Sequence, residues 1–401
     1  MKPFRPLLPV LMLALFTLAV PSASAESMKR LSERVFNLAR VQYTLLDDQL
    51  GLEEFPRSVH PDGSLWKSKQ NWWCSGFWPG MLWYTFAGTG DPDLAARAER
   101  NTYKLDGLIE TPTHHDIGFQ LNSSFGNAAK VAGLPPGPIL RDGALKLAGR
   151  FNPKVGATKS WESGKRGQYP VIIDNLMNLE LLMRAARYFQ LDTLRTIAIT
   201  HARTTLRTHF RDDFTTFHLV DFNPQTGAVI RKMTVQGYSD ASVWARGEAW
   251  ALYGYTMMAA ECAKSGLTAE SREFLAQATG IGKWVAAHLP ADGIPYWDFS
   301  DPDIPNTFRD ASAAAIMASA FIDLARQLEP TNAALAKRFR KVAKRQLKTL
   351  ASAQYLAKAG QNGGFLLQHC VGNLPAKSEI DVPLTYADYY FLEALLRWQE
   401  K

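Results

Sequence analysis

Along most of the chain, apolar residues recur every three or four positions, a spacing that predicts one helix after another. Leu31, Val35, Leu38, Val41 and Leu45 mark the first, over 27–48. The same pattern predicts helices near 76–88, 92–108, 117–132, 138–151, 174–187, 190–209, 242–264, 268–288, 310–328, 331–354 and 384–399. Local chemistry marks several boundaries: Asp91 precedes Pro92, Asp192 and Thr268 stand in capping positions, and Pro330 follows a helix end. Residues 216–233, turning at Asn223-Pro-Gln-Thr-Gly227, read instead as a β-hairpin.

The helices alternate in character. Those at 27–48, 92–108, 190–209, 268–288 and 331–354 are amphipathic and charged, as helices facing water are. Those at 76–88, 117–132, 174–187, 242–264, 310–328 and 384–399 are richer in aromatic and small residues, and each starts at a polar cluster. With the remaining helix at 138–151 counted outside, six outer and six inner helices in alternation predict an all-α fold, a closed (α/α)6 toroid. Its parallel inner helices gather their N-terminal ends at one mouth, where the partial positive charge favours an anion. Long connections at 51–75, 152–173, 210–241, 289–309 and 357–383 form the rim, with the hairpin in one of them.

The stretch Gln236-Gly-Tyr-Ser-Asp-Ala-Ser-Val-Trp-Ala-Arg-Gly-Glu-Ala-Trp250 joins a polar opening to an almost uncharged helix. A helix apolar all round is buried. With Asp240 and Ser242 as caps, Gln236, Ser239, Asp240, Trp244 and Arg246 gather at its mouth. That arrangement suits the wall of a small-molecule pocket, and it also suits an interior helix with a crowded start.

Composition narrows the setting. Lys2 and Arg5 precede an apolar run from Leu7 to Val20 and an Ala23-Ser-Ala25 site, the form of a cleavable signal peptide, so a periplasmic or secreted chain beginning near Glu26 is expected. The run is too short for a good membrane span. Residues 26–401 hold no low-complexity linker, which favours one large domain. Removing residues 1–25 lowers the formal charge from +7 to +5, a balance suited to an acidic substrate and too weak to argue for nucleic acid. The cations from Lys337 to Lys348 read as a solvated face. Cys74, Cys262 and Cys370 lack metal-ligand spacing and cannot all pair; buried free thiols are favoured over a single disulfide.

No HExxH, P-loop or GxSxG is present, so metalloprotease, NTPase and α/β-hydrolase chemistry lose their usual support. Carboxylates at inner-helix starts remain, chiefly Asp116 and Asp174. Either is explained as a simple N-cap. If both face one mouth, they do not ionise together easily, and one becomes a general acid, helped by desolvation among Trp72, Trp73, Trp78 and Trp161. Aromatic faces beside amides, Arg and His suit a saccharide. Most of the 11 Trp are core fillers on this reading, with Trp73 and Trp250 among the few at the ligand.

Five segments in order, Asn71-Trp-Trp-Cys-Ser-Gly-Phe-Trp-Pro-Gly-Met-Leu-Trp83, His115-Asp-Ile-Gly-Phe119, Ile173-Asp-Asn-Leu-Met177, Gln236 to Trp250 and Pro383-Leu-Thr-Tyr-Ala-Asp-Tyr-Tyr-Phe-Leu-Glu393, resemble the unsaturated glucuronyl hydrolases, glycoside hydrolase family 88. The resemblance implies an (α/α)6 barrel, no metal or organic cofactor, and removal of the 4,5-unsaturated uronic acid from lyase-generated oligosaccharides. In that chemistry an Asp protonates the C4=C5 vinyl ether and water adds at C5. By the same resemblance Asp174 is the general acid/base and Asp116 its partner, while His115, His218, Gln236 and Arg246 bind substrate, and Trp73, Trp250 and Tyr386 stack or form the rim. The 369–381 segment, with Lys377 and Ser378, lies where some relatives read the next sugar, although a solvated loop is the simpler reading. Unsaturated rhamnogalacturonyl hydrolases share the barrel and the chemistry, and a non-catalytic oligosaccharide-binding protein is the alternative of another class.

Overall fold

The protein is described from a computed structural model covering residues 26–111, 114–133, 135–162, 164 and 167–400. The signal-peptide expectation for residues 1–25 lies outside the described residues. In chain order the helices are α1 (Met28–Asp47), α2 (Phe77–Thr89), α3 (Pro92–Tyr103), α4 (Ile117–Leu121), α5 (Asn127–Ala132), α6 (Pro138–Ala148), α7 (Asn175–Phe189), α8 (Asp192–Thr208), α9 (Ala245–Lys264), α10 (Thr268–His288), α11 (Ala311–Leu328), α12 (Ala333–Leu350) and α13 (Thr385–Gln399). A π-turn over Asn122–Gly126 joins α4 to α5, so the two run as one inner element.

The inner elements close a ring. α2 packs on α5, α4 on α7, α7 on α9, α9 on α11, α11 on α13, and α13 returns to α2. The amphipathic helices pack outside, most extensively α3 on α2, α8 on α7, α10 on α9 and α12 on α11. This is the (α/α)6 toroid that the alternation predicts. Every residue of α9 from Ala245 to Ala259 is buried; the run from Ala249 to Ala259 is uncharged, as burial requires, and the two buried charges, Arg246 and Glu248, stand in the first turn. Small residues let the ring close at the mouth. A Cβ on Gly76 would stand 2.0 Å from the Gln120 carbonyl oxygen, and one on Gly118 would stand 2.6 Å from Asn178 Oδ1. Deeper in the ring, Glu393 accepts hydrogen bonds from Tyr84 Oη (3.1 Å), Tyr253 Oη (3.0 Å) and Ser319 Oγ (2.6 Å), tying α2, α9, α11 and α13 together.

The rim holds more strand than periodicity suggests. Besides the expected hairpin, β6 (Leu219–Phe222) with β7 (Val229–Met233), the chain forms β1 (Phe55–Val59) with β2 (Leu65–Ser68), β3 (Phe151–Asn152) with β4 (Ala157–Thr158), and β8 (Cys370–Asn373) with β9 (Ser378–Val382). β5 (Pro170–Ile172) adds to β6 as a third strand. These strands are two to five residues long, too short to show a clear period of two. The 369–381 segment is therefore a hairpin with a buried first strand, not a solvated loop.

Four residues expected to cap three helices do not do so. Asp192 and Thr268 are the first residues of their helices, following Leu191 and Leu267. α9 starts at Ala245 after Trp244, because Asp298 draws the preceding segment into a loop: its carboxylate accepts from Tyr238 N (2.9 Å) and from Ser242 Oγ (2.7 Å). Asp240 instead accepts from Thr234 N at 2.8 Å. Asp91 caps α3 as its sequence context predicts, accepting from Asp93 N at 3.0 Å. The three cysteines are buried free thiols.

Candidate active site

A cleft of about 410 Å³ opens at the N-terminal ends of α4, α7 and α9. Asp116, Asp174, Trp73, His115, Gln236 and Arg246 all line it, together with Trp72, Trp161, His114, Asn71 and Ile172. Local structure explains each placement. Strand β5 ends at Ile172, and Ile173 N donates to the His218 carbonyl (2.9 Å), so the chain enters α7 with Asp174 at the mouth. Gln120 Nε2 donates to the carbonyls of Gln70 (2.9 Å) and Trp72 (3.0 Å), fixing the two-tryptophan loop above α4. Neither Asp116 nor Asp174 makes a side-chain capping bond to its own helix. The N-cap explanation therefore accounts for neither carboxylate.

The two acids have different surroundings. Asp116 keeps 12% side-chain exposure and sits against two imidazoles, with His114 Nδ1 at 3.2 Å and His115 Nε2 at 3.3 Å from its Oδ2. Burial works to raise its pKa, but the histidines and Arg150 outweigh it and hold the carboxyl below its ordinary value. Asp174 keeps 13% exposure, all that opens to the cleft. Burial pushes its carboxyl up to about 7, with the Asp116 charge adding to the rise and the Arg246 charge opposing it. Its Oδ2 has no hydrogen bond of ordinary geometry, and neither has the buried Trp250 Nε1 that faces it. Such a carboxyl carries a proton near neutrality and is free to deliver it.

The neighbouring cations and imidazoles are set by the rim. Arg246 is buried, donates from Nη1 to Asp310 Oδ2 at 3.2 Å and to the Val371 carbonyl, and from Nη2 to the Gly372 carbonyl. Strand β8 thus holds the guanidinium that borders the cleft. His218 Nδ1 accepts from Val235 N (3.0 Å) and Gln236 N (3.3 Å), which assigns the ring proton to Nε2, 3.8 Å from Asp174 Oδ2. Burial drives His115 down to about 4, so it is neutral at pH 7. For His114 burial also opposes charge, yet the Asp116 carboxylate prevails and the pKa rises.

Three expected contact residues stand behind the cleft rather than on its surface. Trp250 has no solvent exposure and packs on Phe119 (ring centroids 5.2 Å) and Tyr390 (5.6 Å), so it supports the mouth and has no face to offer a sugar. Tyr386 is buried under Trp73 at 4.9 Å, and His218 is buried against Trp244 at 4.5 Å. Trp78 belongs to the core, edge-on to Tyr43 at 5.6 Å. Sequence reasoning left His114 and Asp310 out of the site, although each stands in a polar cluster at an inner-helix start. Among the described residues no group of three or more His, Cys, Asp or Glu is placed to hold a metal ion.

No family model matches the chain. A curated unsaturated glucuronyl hydrolase of Formosa agariphila is 39% identical to it over 407 residues, 97% of each chain. The chain belongs to the unsaturated glucuronyl hydrolases. This glycoside hydrolase is also 32% identical over 355 residues to an unsaturated chondroitin disaccharide hydrolase of Streptococcus pyogenes, 86% of each chain. A crystal structure described as an unsaturated glucuronyl hydrolase specific for heparin superposes on it with a TM-score of 0.86 at 42% identity, covering 92% of this chain and 96% of that one.

Proposed function

We propose that this hydrolase removes the 4,5-unsaturated glucuronic acid from the non-reducing end of lyase-generated glycosaminoglycan oligosaccharides, with Asp174 as general acid and base. The observation that carries the reading is the uncapped Asp174 carboxyl, raised to about 7 beside an ionised Asp116 in one cleft. Protonated Asp174 delivers its proton to C4 of the vinyl ether, and positive charge develops at C5 and the ring oxygen. Water then adds at C5 and returns a proton to the Asp174 carboxylate, leaving the enzyme in its starting state. The C5 hemiketal opens to a ketone, the ring oxygen becomes a hydroxyl on C1, and the resulting hemiacetal expels the aglycone. Arg246 and Gln236 hold the uronate and the water, Trp73 offers an aromatic face to the sugar, and His115 with His114 keeps Asp116 ionised. His218, Trp250 and Tyr386 act from behind by positioning Asp174 and Trp73.

Loss of the ultraviolet absorbance of the C4=C5 bond tests this directly. Wild-type protein bleaches at least one of the unsaturated heparin, chondroitin and hyaluronan disaccharides, and Asp174→Asn binds that disaccharide without bleaching it. Bleaching by the Asn variant at the wild-type rate overturns the role of Asp174. Wild-type binding with no bleaching of any of them favours a sugar-binding protein, whereas bleaching of unsaturated galacturonyl-rhamnose alone favours the rhamnogalacturonyl reading. We further propose export from the cytoplasm. Among the described residues no helix is long and apolar enough to cross a membrane, and the leader-like residues 1–25 direct export.

A further inference from the structure

The basic character of this chain resides in one helix. Helix α12 carries Lys337, Arg338, Arg340, Lys341, Lys344, Arg345 and Lys348 and no acidic residue, so its charge is +7. Residues 26–401 carry +5 in all, which leaves the rest of that span at −2. Lys337, Arg338, Arg340, Lys341 and Lys344 are exposed. Among the described residues none of the seven cations of α12 lies within ion-pair distance of a carboxylate. The other outer helices differ: Arg97 of α3 bonds to Asp47 and Asp93, and Arg203 of α8 bonds to Glu270 and Glu273 of α10.

Geometry turns these charges into a line. Lys337, Lys341, Lys344 and Lys348 follow the i, i+4, i+7, i+11 spacing of one helix face and span about 16 Å at a helical rise of about 1.5 Å per residue. The opposite face is committed to the core through Ala336, Phe339, Val342, Ala343, Leu347 and Leu350. The C-terminal end of α12 is anchored on the mouth side, where Gln346 Nε2 donates to the Gly293 carbonyl (3.1 Å) and Thr349 Oγ1 to the Asp292 carbonyl (2.7 Å). The same connection meets the start of α9, where Ala245 N donates to the Trp297 carbonyl. A row of like charges costs the helix self-repulsion. An extended polyanion lying along it removes that repulsion and releases condensed counterions.

We infer that the α12 face is a docking surface for an anionic polysaccharide chain, separate from the cleft, which holds the hydrolase on the polymer whose fragments it consumes. The identity of that polymer as a glycosaminoglycan rests on the function proposed above. Charge complementarity is matched by a run of cations dense enough for a heparin-type patch. Docking here concentrates the enzyme where unsaturated ends are produced without occupying the site that cleaves them.

Intact heparin and chondroitin sulfate, never treated with lyase, have no unsaturated end and so probe this surface alone. Wild-type protein binds intact heparin in about 150 mM salt, and affinity falls steeply with added salt. The triple variant Lys337→Gln, Lys341→Gln, Lys344→Gln weakens binding on the order of tenfold or more and lowers the slope of log affinity against log salt by about one per cation removed. Its bleaching of unsaturated disaccharides is unchanged, because no residue of α12 reaches the cleft. A control with Lys29, Lys69 and Lys358 changed to Gln has the same net charge and keeps heparin binding. Equal loss in both variants shows only a bulk charge effect and overturns the inference, as does binding to anionic phospholipid vesicles with none to heparin. Heparin docking with no disaccharide bleached upholds the surface and rejects the catalytic reading, so the two fail separately.

Discussion

The proton on Asp174 gives the sharpest quantitative consequence. Burial and the Asp116 charge raise this carboxyl to about 7, against the pull of Arg246. The protonated fraction is then about one half at pH 7, about one tenth at pH 8 and about one hundredth at pH 9. Because kcat/KM reports the free enzyme, it falls about tenfold per pH unit on the alkaline side. Bound substrate brings its own carboxylate into the cleft and raises Asp174 further, so the limb in kcat lies at higher pH than the limb in kcat/KM. Asp116→Asn removes a charge that raises Asp174. It lowers the rate overall and moves the alkaline limb of the residual activity to lower pH. The assay is the initial rate of disaccharide bleaching between pH 5 and 9 in buffers of constant ionic strength. A kcat/KM that stays level up to pH 9, or a limb that moves upward in Asp116→Asn, refutes the assignment.

Three further outcomes follow from the same geometry. The folded pKa of Asp174 is raised above its unfolded value of about 3.9, so the folded state holds the extra proton and stability declines as pH rises from about 4 to 7; Asp174→Asn removes a cost of at most about 4 kcal/mol and melts above wild type at pH 8, with the gap closing at pH 4 in calorimetry. Asp310→Ala leaves Arg246 buried with backbone carbonyls alone, costs about 3–5 kcal/mol in denaturant unfolding, and raises KM for disaccharide as the guanidinium loses its place. Glu393→Ala removes an acceptor shared by three hydroxyls and the carboxylate paired with the partly buried Arg397, two turns below the mouth, and lowers stability by about 3–5 kcal/mol, while kcat at 25 °C is retained.

Much of this protein was determined by sequence alone, because the signals are local. Apolar spacing marks the helices and their alternation marks the ring, since a helix apolar all round has to be inside. The motif order from Asn71 to Glu393 carried the family, and Asp91 before Pro92 is a cap that needs no tertiary partner. What periodicity does not record was decided by tertiary contacts. Strands of two to five residues owe their pairing to the ring beneath them, and Asp298, distant in sequence, moves the start of α9 past Asp240 and Ser242. Trp73 at the cleft and Trp250 beneath it share Phe119 and Tyr386 as ring neighbours, and Tyr390 packs on Trp250 as well, a distinction no local pattern records. The unequal acids divide the same way: His114 and His115, the two residues before Asp116, supply its imidazoles locally, whereas the burial that raises Asp174 is made by packing. Desolvation and charge act through space, so the proton's place is a property of the folded ring.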